Sequence, residues 1–315
     1  MLQFDRITLG RQAKELGVVR DTYEKVCRLT DILAFIAGDD LLSNSLALKG
    51  GTAINLTLFD LPRLSVDIDL DYALNTDREE MLAHREIIAG HIRKYMQANG
   101  YALSPKSKQY HALDSFVYEY SNSGGVKDNI KVEINYMLRA HVLPPAPRGI
   151  NFAYSRNVTE VLCVDPLETI AAKTMALLNR AAPRDLYDMA NVFHHNIIAE
   201  EQYDLYRKCV VFYGAISADS VPDHFTFENI DRITMQKVKT ALIPVLRRAS
   251  HFDLPAMQAY VKEQLSERLQ PTASELNFWK LFSEGEYRPD ELFDDQDIIS
   301  RVRNHPMALW KCSCK

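Results

Sequence analysis

Apolar residues recur at helical spacing near the start of the chain and again throughout its second half. Residues 21–36 predict an amphipathic helix, because Val26, Leu29, Ile32, Leu33 and Ile36 form one stripe. Residues 77–98 predict a longer helix, with Met81, Ile87, Ile88, Ile92 and Met96 inward and Glu79, Glu80, Arg85 and Lys94 outward. Further helices are predicted over residues 167–179, 184–194, 203–212, 236–246 and 254–269, with Pro244 kinking or shortening the fourth.

Segments that alternate apolar and polar residues predict strands in the first half of the chain. Residues 65–71 alternate strictly, so Val66, Ile68 and Leu70 share one face and the other face is polar. Residues 46–48 predict a strand that passes through a Gly-Gly turn into a helical segment. Residues 116–120 and 130–136 predict an antiparallel hairpin with a longer loop, and residues 161–164 predict a last short strand.

The pattern changes at residue 165, which predicts two lobes. Residues 1–164 form a mixed α/β lobe, and residues 165–315 form a mainly helical lobe that completes the active-site cleft. Asp165 is expected to cap the first helix of the second lobe, with Pro166 at its first position and Glu168 as a capping-box acid. The proline-rich residues 143–149 are interpreted as the seam between the lobes.

Composition narrows the function classes only slightly. The 315 residues are 47% hydrophobic, enough to bury a large core, and the net charge of -5 neither supports nor excludes a nucleic-acid partner. Five scattered cysteines do not make a disulfide framework, so we expect a cytoplasmic protein. No signal peptide and no uninterrupted apolar run of about 18 residues is present, so we expect no contact with a membrane.

Two aspartates on one strand are the strongest chemical signal. Asp67 and Asp69 lie on the same face, and like charges about 4 Å apart repel by about 4 kcal/mol at an effective dielectric constant of about 20. Mg²⁺ offsets such repulsion, and Glu133 on a second alternating strand is the expected third ligand. For an isolated Asp-x-Asp, a solvated face of an exposed strand is the more common explanation.

A phosphate-binding turn precedes the aspartates. Gly50, Gly51 and Thr52 lie where a strand leads into a helix, which offers backbone N–H groups to phosphate. Ser65 shares the face of the aspartates, and Arg63 in the preceding loop is expected to reach triphosphate oxygens. A glycine pair is also common in ordinary turns, and a strand serine needs no function.

Charged residues in the second lobe extend the candidate site. Lys173 borders an apolar helical stripe, which suits either a lysine held for a triphosphate or one that covers the core. Asp185 and Asp188 are three residues apart near the start of the next helix, so either can orient Lys173 or act as a base for the acceptor. Acidic residues there also commonly serve as partners of the helix dipole.

The motifs together resemble one family, the AbiEii/AbiGii-type nucleotidyltransferase toxins, which include the mycobacterial MenT proteins. The resemblance rests on residues 48–53 (Leu-Lys-Gly-Gly-Thr-Ala), 63–70 (Arg-Leu-Ser-Val-Asp-Ile-Asp-Leu), 131–136 (Lys-Val-Glu-Ile-Asn-Tyr) and 168–188, with a less diagnostic similarity over residues 304–311. It implies an α+β fold, a DNA polymerase β-like nucleotidyltransferase core and a helical C-terminal lobe. It also implies Mg²⁺ dependence and a toxin with a cognate antitoxin.

The resemblance assigns roles by position. Gly50, Gly51 and Ser65 fall in the nucleotide-binding motif, and Asp67 and Asp69 fall in the metal motif. Lys173 and Asp188 fall in the later catalytic motifs, where Asp185 competes with Asp188. MenT-type members add nucleotides to the 3′ end of tRNA, so tRNA is the expected acceptor and an NTP the expected donor.

Three interpretations follow for the function. In the first, the chain transfers a nucleoside monophosphate from an NTP to RNA while Lys173 steadies the leaving pyrophosphate. In the second, it binds nucleotide without turnover and its helical lobe binds an antitoxin or another protein. In the third, the acceptor is a hydroxyl of a protein or a small molecule. Basic residues that could guide RNA are present, but helix faces are often charged for solubility alone. They include Lys237, Lys239, Arg247 and Arg248.

Overall fold

The computed structural model describes residues 4–59, 61–150, 159–218, 220–247 and 252–314. The chain forms two compact units. The first comprises Met1–Arg139, Pro145–Val164 and Pro244–Ser250, and the second comprises Ala140–Pro144, Asp165–Ile243 and His251–Lys315. No helix of the described residues is long and apolar enough to cross a membrane.

The first unit combines a sheet with five helices in its described part. The helices are α1 (Arg6–Glu15), α2 (Arg20–Gly38), α3 (Asp40–Ser45), α4 (Gly50–Ala53), which continues as a π-helical turn over Ile54–Leu58, and α5 (Arg78–Ala98). The strands are β1 (Leu46–Lys49), β2 (Asp67–Tyr72), β3 (Ala102–Leu103), β4 (Lys108–Gln109), β5 (Leu113–Ser121), β6 (Lys127–Asn135), β7 (Ala146–Gly149) and β8 (Glu160–Cys163).

The sheet is mixed, and β2 lies near its middle. Within the described residues the strand order is β3-β5-β6-β2-β1-β8-β7, with β4 also paired to β5. Strand β2 runs antiparallel to β1 and parallel to β6, and β5 and β6 form the predicted antiparallel hairpin. Ile68 and Leu70 are fully buried on one face of β2, which confirms the alternation predicted for this strand.

Helices α2 and α5 lie where the apolar periodicity predicts them, but one face of α5 was assigned incorrectly. The stripe of α2 is buried as predicted. In α5, Ile87 is 49% exposed, whereas Arg85 is buried and forms an ion pair with Asp114 at 2.5 Å. Arg85 also donates to the carbonyl oxygens of Tyr110 and His111. An arginine with this many acceptors is stable inside the unit, and residue type alone does not reveal such partners.

One loop prediction was wrong and a second was incomplete. The turn between β5 and β6 is short, because the Asn122 side chain accepts hydrogen bonds from the backbone of Gly124 and Val126. The proline-rich segment is not only a seam, since part of it forms β7, which pairs with β8. In that register Pro147 lies opposite Leu162, in a strand at the end of the described sheet order, where a residue without an N–H is tolerated.

The second unit is helical in its described part. Its helices are α6 (Pro166–Arg180), α7 (Pro183–His194), α8 (Tyr203–Ser217), α9 (Glu228–Asp231), α10 (Met235–Ala241), α11 (Leu254–Arg268), α12 (Ala273–Ser283), α13 (Gln296–Val302) and α14 (Pro306–Ser313). Helix α10 ends at Ala241, before a 3-10 turn that contains Pro244, as predicted. The predicted fold class, mixed α/β with a helical C-terminal part, is confirmed.

The start of α6 agrees with the sequence except at one residue. Asp165 caps the helix by accepting from the backbone N–H of Leu167, and Pro166 occupies the first position. Glu168 is not a capping-box acid. Its fully buried carboxylate accepts from the backbone N–H groups of Val142 and Leu143 and from the Tyr213 hydroxyl.

Candidate active site

Three rows of side chains cross one face of the sheet at β2. Asp69 lies opposite Lys49 of β1 and Glu133 of β6, while Asp67 lies opposite Lys131 of β6. Residues opposite one another in register project from the same face, so these side chains share one surface. Asp67 and Asp69 are both partly exposed there.

Asp71 is the last aspartate on the same face of β2, and its side chain is buried in an ion pair. It is 2% exposed and forms an ion pair with Lys49 at 2.5 Å. The rows at Asp67, Asp69 and Asp71 together carry four carboxylates and two ammonium groups. The excess of two negative charges in these rows matches the charge of one divalent cation.

The oxygen donors of Asp67, Asp69 and Glu133 suit a hard cation such as Mg²⁺, which prefers carboxylates and water. Among the residues that the structure describes, no group of three or more His, Cys, Asp or Glu side chains is gathered into a metal-binding cluster. Glu133 instead pairs with Lys131, whose Nζ lies 2.8 Å from Glu133 Oε2. The three carboxylates therefore have the oxygen atoms that Mg²⁺ prefers, but Glu133 contacts the ammonium group of Lys131 in this structure.

The charges of the face act on Lys131. Partial burial of the ammonium group favours the neutral amine, but the hydrogen bond to Glu133 and the charges of Glu133, Asp67 and Asp69 outweigh it. The pKa of Lys131 is consequently raised, and the side chain remains a cation at neutral pH.

The Gly-Gly turn lies against the aspartate strand. Gly50 has φ +70°, and a Cβ atom on it would lie 2.9 Å from Oδ2 of Asp69. A Cβ atom on Gly51 would lie 2.6 Å from Nη2 of Arg63 and 3.4 Å from Oγ of Ser65. The positive φ favours glycine at position 50, and a side chain at position 51 would have to displace the Arg63 guanidinium.

Thr52 and Arg63 hold this turn from inside the unit. The Thr52 hydroxyl lies 2.5 Å from the carbonyl oxygen of Asp67 and 2.8 Å from the Ser65 hydroxyl, and Thr52 is 1% exposed. Arg63 is 2% exposed, donates to the carbonyl oxygen of Leu64 and pairs with Leu246 in an isolated bridge. Thr52 and Arg63 are thus buried beside the turn, whereas Ser65 is partly exposed.

Lys173 of the second unit lies between two buried aspartates. Its Nζ atom is 3.0 Å from Oδ1 of Asp185 and 3.2 Å from Oδ2 of Asp188, and each aspartate side chain is 1% exposed. Arg180 adds bonds of 2.7 and 3.0 Å to Asp185. Burial alone would raise the pKa of Asp185, but the charges of Lys173 and Arg180 and the hydrogen bonds from both lower it.

The structure adds two charged residues to those that the sequence pointed to. Lys131 shares the polar face of β6 with Glu133, and the alternation of this strand already contained that signal. Arg180 is seven residues after Lys173 at the end of α6 and reaches Asp185 across the bend into α7. No local pattern indicates Arg180, because its partner lies in a different helix.

The nucleotidyl transferase AbiEii toxin family, of the type IV toxin–antitoxin systems, has a sequence model that matches residues 32–272. The chain belongs to this family. The resemblance inferred from the motifs is thereby confirmed, and so is the enzyme class. The AbiEii match identifies the chain as a nucleotidyltransferase toxin of a type IV toxin–antitoxin system, and it decides against the interpretation without turnover.

A solved structure supports the fold. MenT4, a nucleotidyltransferase toxin from Mycobacterium tuberculosis H37Rv, superposes with a TM-score of 0.62 at 20% identity, covering 98% of this chain and 99% of that chain. At this identity the likeness establishes a shared fold. Among proteins with curated descriptions, none matches this AbiEii chain in sequence.

Proposed function

We propose that the chain is a magnesium-dependent enzyme that transfers a nucleoside monophosphate from an NTP to a hydroxyl group of RNA, with the 3′ end of tRNA as the acceptor. The observation that carries this proposal is the polar face of β2. There Asp67 and Asp69 lie beside Glu133 and against the Gly50 turn. Carboxylates for a metal next to a turn that offers backbone N–H groups form the combination that phosphoryl chemistry requires.

The metal ligands in this proposal are Asp67, Asp69 and Glu133. A bound Mg²⁺ ion would lower the pKa of the acceptor hydroxyl and neutralise charge on the attacked phosphate. The protein's part is to hold both aspartates on one face so that the two carboxylates are aligned before substrate binds. Asp71 takes no part, since it is bound to Lys49.

The triphosphate contacts in this proposal come from the turn and from Ser65. Gly50 is partly exposed, Gly51 is buried behind the Arg63 side chain, and Ser65 is partly exposed beside the turn. Thr52 and Arg63 are both buried. In this proposal they hold the turn in the conformation that binds the nucleotide and do not contact the nucleotide themselves.

Lys173 is the proposed cation for the leaving pyrophosphate. Its ammonium group is held by Asp185 and Asp188, so the charge is positioned before substrate arrives and little side-chain entropy is lost on binding. Asp188 is the proposed catalytic member of the two aspartates. Asp185 also binds Arg180, which fits a supporting role.

RNA is proposed as the acceptor because the resemblance of the motifs to MenT-type proteins implies tRNA. Lys237 and Lys239 are exposed on α10 and available to phosphate groups, and Arg247 is partly exposed. Arg248 lies outside the described residues. A hydroxyl of a protein or a small molecule is the alternative acceptor, and a cognate antitoxin is the proposed partner.

The donor and the acceptor can be identified in one experiment. The purified protein is incubated with each NTP labelled at the α-phosphate, in turn with total RNA, with a protein extract and with an aminoglycoside. We expect label in small RNA of tRNA size with release of pyrophosphate. Asp67→Ala should abolish the label, whereas Asp223→Ala, at a side chain that is 91% exposed, should leave it unchanged. Label confined to protein or aminoglycoside would replace RNA as the acceptor.

A further inference from the structure

Lys131 occupies a central place in the charged face of the sheet. It lies opposite Asp67 in register and two residues before Glu133 on the same face of β6. Its ammonium group contacts Glu133 at 2.8 Å, and both side chains are partly exposed, at 39% and 25%. This pair is therefore in contact with solvent and is not locked into the core.

The ammonium group and a divalent metal need the same oxygen atoms. A carboxylate that accepts from Lys131 has fewer lone pairs to offer a metal, and an ammonium group a few ångströms from a bound metal repels it. The contact of Lys131 with Oε2 of Glu133 therefore disfavours the binding of Glu133 to a metal beside Asp67 and Asp69. The charge of Lys131 meanwhile reduces the repulsion among the carboxylates of the face.

We propose that Lys131 is a positioning residue that competes with the divalent metal for Glu133. In the metal-free protein Lys131 holds Glu133 and, with Lys49, balances the negative charge of the aspartate face. Metal entry transfers Glu133 from the ammonium group to the metal, with no change in covalent bonds. This inference rests on the proposed function, because it requires the metal to bind at Asp67, Asp69 and Glu133.

The consequence is a higher dissociation constant for the divalent metal. Separating Lys131 from Glu133 costs free energy and so weakens metal binding. Removal of the ammonium group should therefore tighten metal binding even without nucleotide. A neutral side chain of similar length, as in Lys131→Met, removes the competitor, and Lys131→Arg retains it.

The test is the binding of Mn²⁺ to the full-length protein without nucleotide, followed through the electron paramagnetic resonance signal of free Mn²⁺. Lys131→Met should bind Mn²⁺ at least about tenfold more tightly than the unmodified protein, because Glu133 no longer has to leave an ammonium group to reach the metal. Lys131→Arg should stay within about twofold of the unmodified protein.

The matched control is Lys127→Met. Lys127 lies on the same strand and the same face but is exposed, four residues away, or about 13 Å along the strand. Lys127→Met removes the same charge and should change the Mn²⁺ dissociation constant by less than about twofold.

A double-mutant cycle separates competition for Glu133 from a general electrostatic effect. In a Glu133→Gln background, Lys131→Met should no longer tighten Mn²⁺ binding by more than about twofold, since the contested carboxylate is gone. The inference is overturned if Lys131→Met binds Mn²⁺ no more tightly than the unmodified protein, or if the gain persists in full with Glu133→Gln. Mn²⁺ binding that survives Asp67→Ala would instead overturn the metal site itself. Circular dichroism and thermal melting confirm that each variant is folded.

Discussion

The Cβ position of Gly50 lies 2.9 Å from Oδ2 of Asp69, which ties the glycine turn directly to the aspartate strand. The closeness links two motifs that are almost twenty residues apart in sequence. Strand β1 ends at the turn and pairs with β2, so the backbone that bears Gly50 and the carboxylate of Asp69 meet at one end of the strand pair. The proposed nucleotide-binding turn and metal ligand therefore depend on each other's geometry.

Substitution of Gly50 by alanine should impair the enzyme more than the fold. The positive φ disfavours alanine by about 1 to 2 kcal/mol, and the new Cβ atom displaces the Asp69 carboxylate. We expect nucleotidyl transfer to fall at least about tenfold, with a loss of about 1 to 2 kcal/mol in the free energy of unfolding. Initial rates of pyrophosphate release and urea unfolding measure the two effects.

Gly90 provides the control for this substitution. It lies within α5, and a Cβ atom there meets nothing within 4 Å. Gly90→Ala should therefore raise the free energy of unfolding by up to about 1 kcal/mol and leave the rate unchanged. Full activity in Gly50→Ala would contradict the link between the turn and Asp69.

The two aspartates around Lys173 should have different effects when each is changed to asparagine. Asp185 binds both Lys173 and Arg180, so Asp185→Asn should lower the free energy of unfolding by about 3 to 5 kcal/mol. Asp188→Asn should keep more of the stability and lower kcat at least about a hundredfold. Urea unfolding and pyrophosphate release separate the effects. A fully active Asp188→Asn beside a stable but inactive Asp185→Asn would assign the catalytic role to Asp185.

Glu168 gives the unfolding free energy a defined pH dependence. Burial raises the pKa of this carboxyl above its ordinary value of 4.5, against the charge of His141 and the hydrogen bonds from Leu143, Val142 and Tyr213. The folded state therefore holds this proton to higher pH than the unfolded state. The corresponding stability is complete below about pH 4.5 and is lost as the pH rises through the folded pKa.

The comparison with Glu168→Gln isolates this contribution, since glutamine does not titrate. The free energy of unfolding of the unmodified protein minus that of Glu168→Gln should fall as the pH rises from 4.5. Urea unfolding at a series of pH values measures the difference. A difference that rises with pH would mean that the hydrogen bonds to the carboxylate outweigh its burial.

Short-range patterns predicted the elements that carry the candidate site. The alternation in β2 and β6 and the Gly-Gly turn depend on neighbouring residues, and each appears in the structure where the sequence predicts it. The capping box of Thr272 and Glu275 at the start of α12 is a local signal of the same kind.

Features that depend on distant partners were not predictable. Arg85 is buried because it forms hydrogen bonds to Asp114 and to two backbone carbonyl groups. Glu168 does not cap its helix, because its carboxylate accepts hydrogen bonds from the backbone of Val142 and Leu143. The sequence predicts Glu133 as a metal ligand, whereas in the structure its carboxylate contacts Lys131. In each case the sequence spacing allows more than one orientation of the side chain, and a partner that is distant in sequence determines which orientation is adopted.

The central claim is tested most directly by comparing two positions of the radioactive label. Purified protein, Mg²⁺ and total RNA are incubated with NTP labelled either at the α- or at the γ-phosphate, in parallel with Asp67→Asn and Asp69→Asn. The account predicts that RNA gains label only from the α-position, that unlabelled pyrophosphate leaves with it, and that both variants lose the reaction. Label from the γ-position, or equal labelling by either variant, would contradict transfer of a nucleoside monophosphate by the metal-binding aspartates.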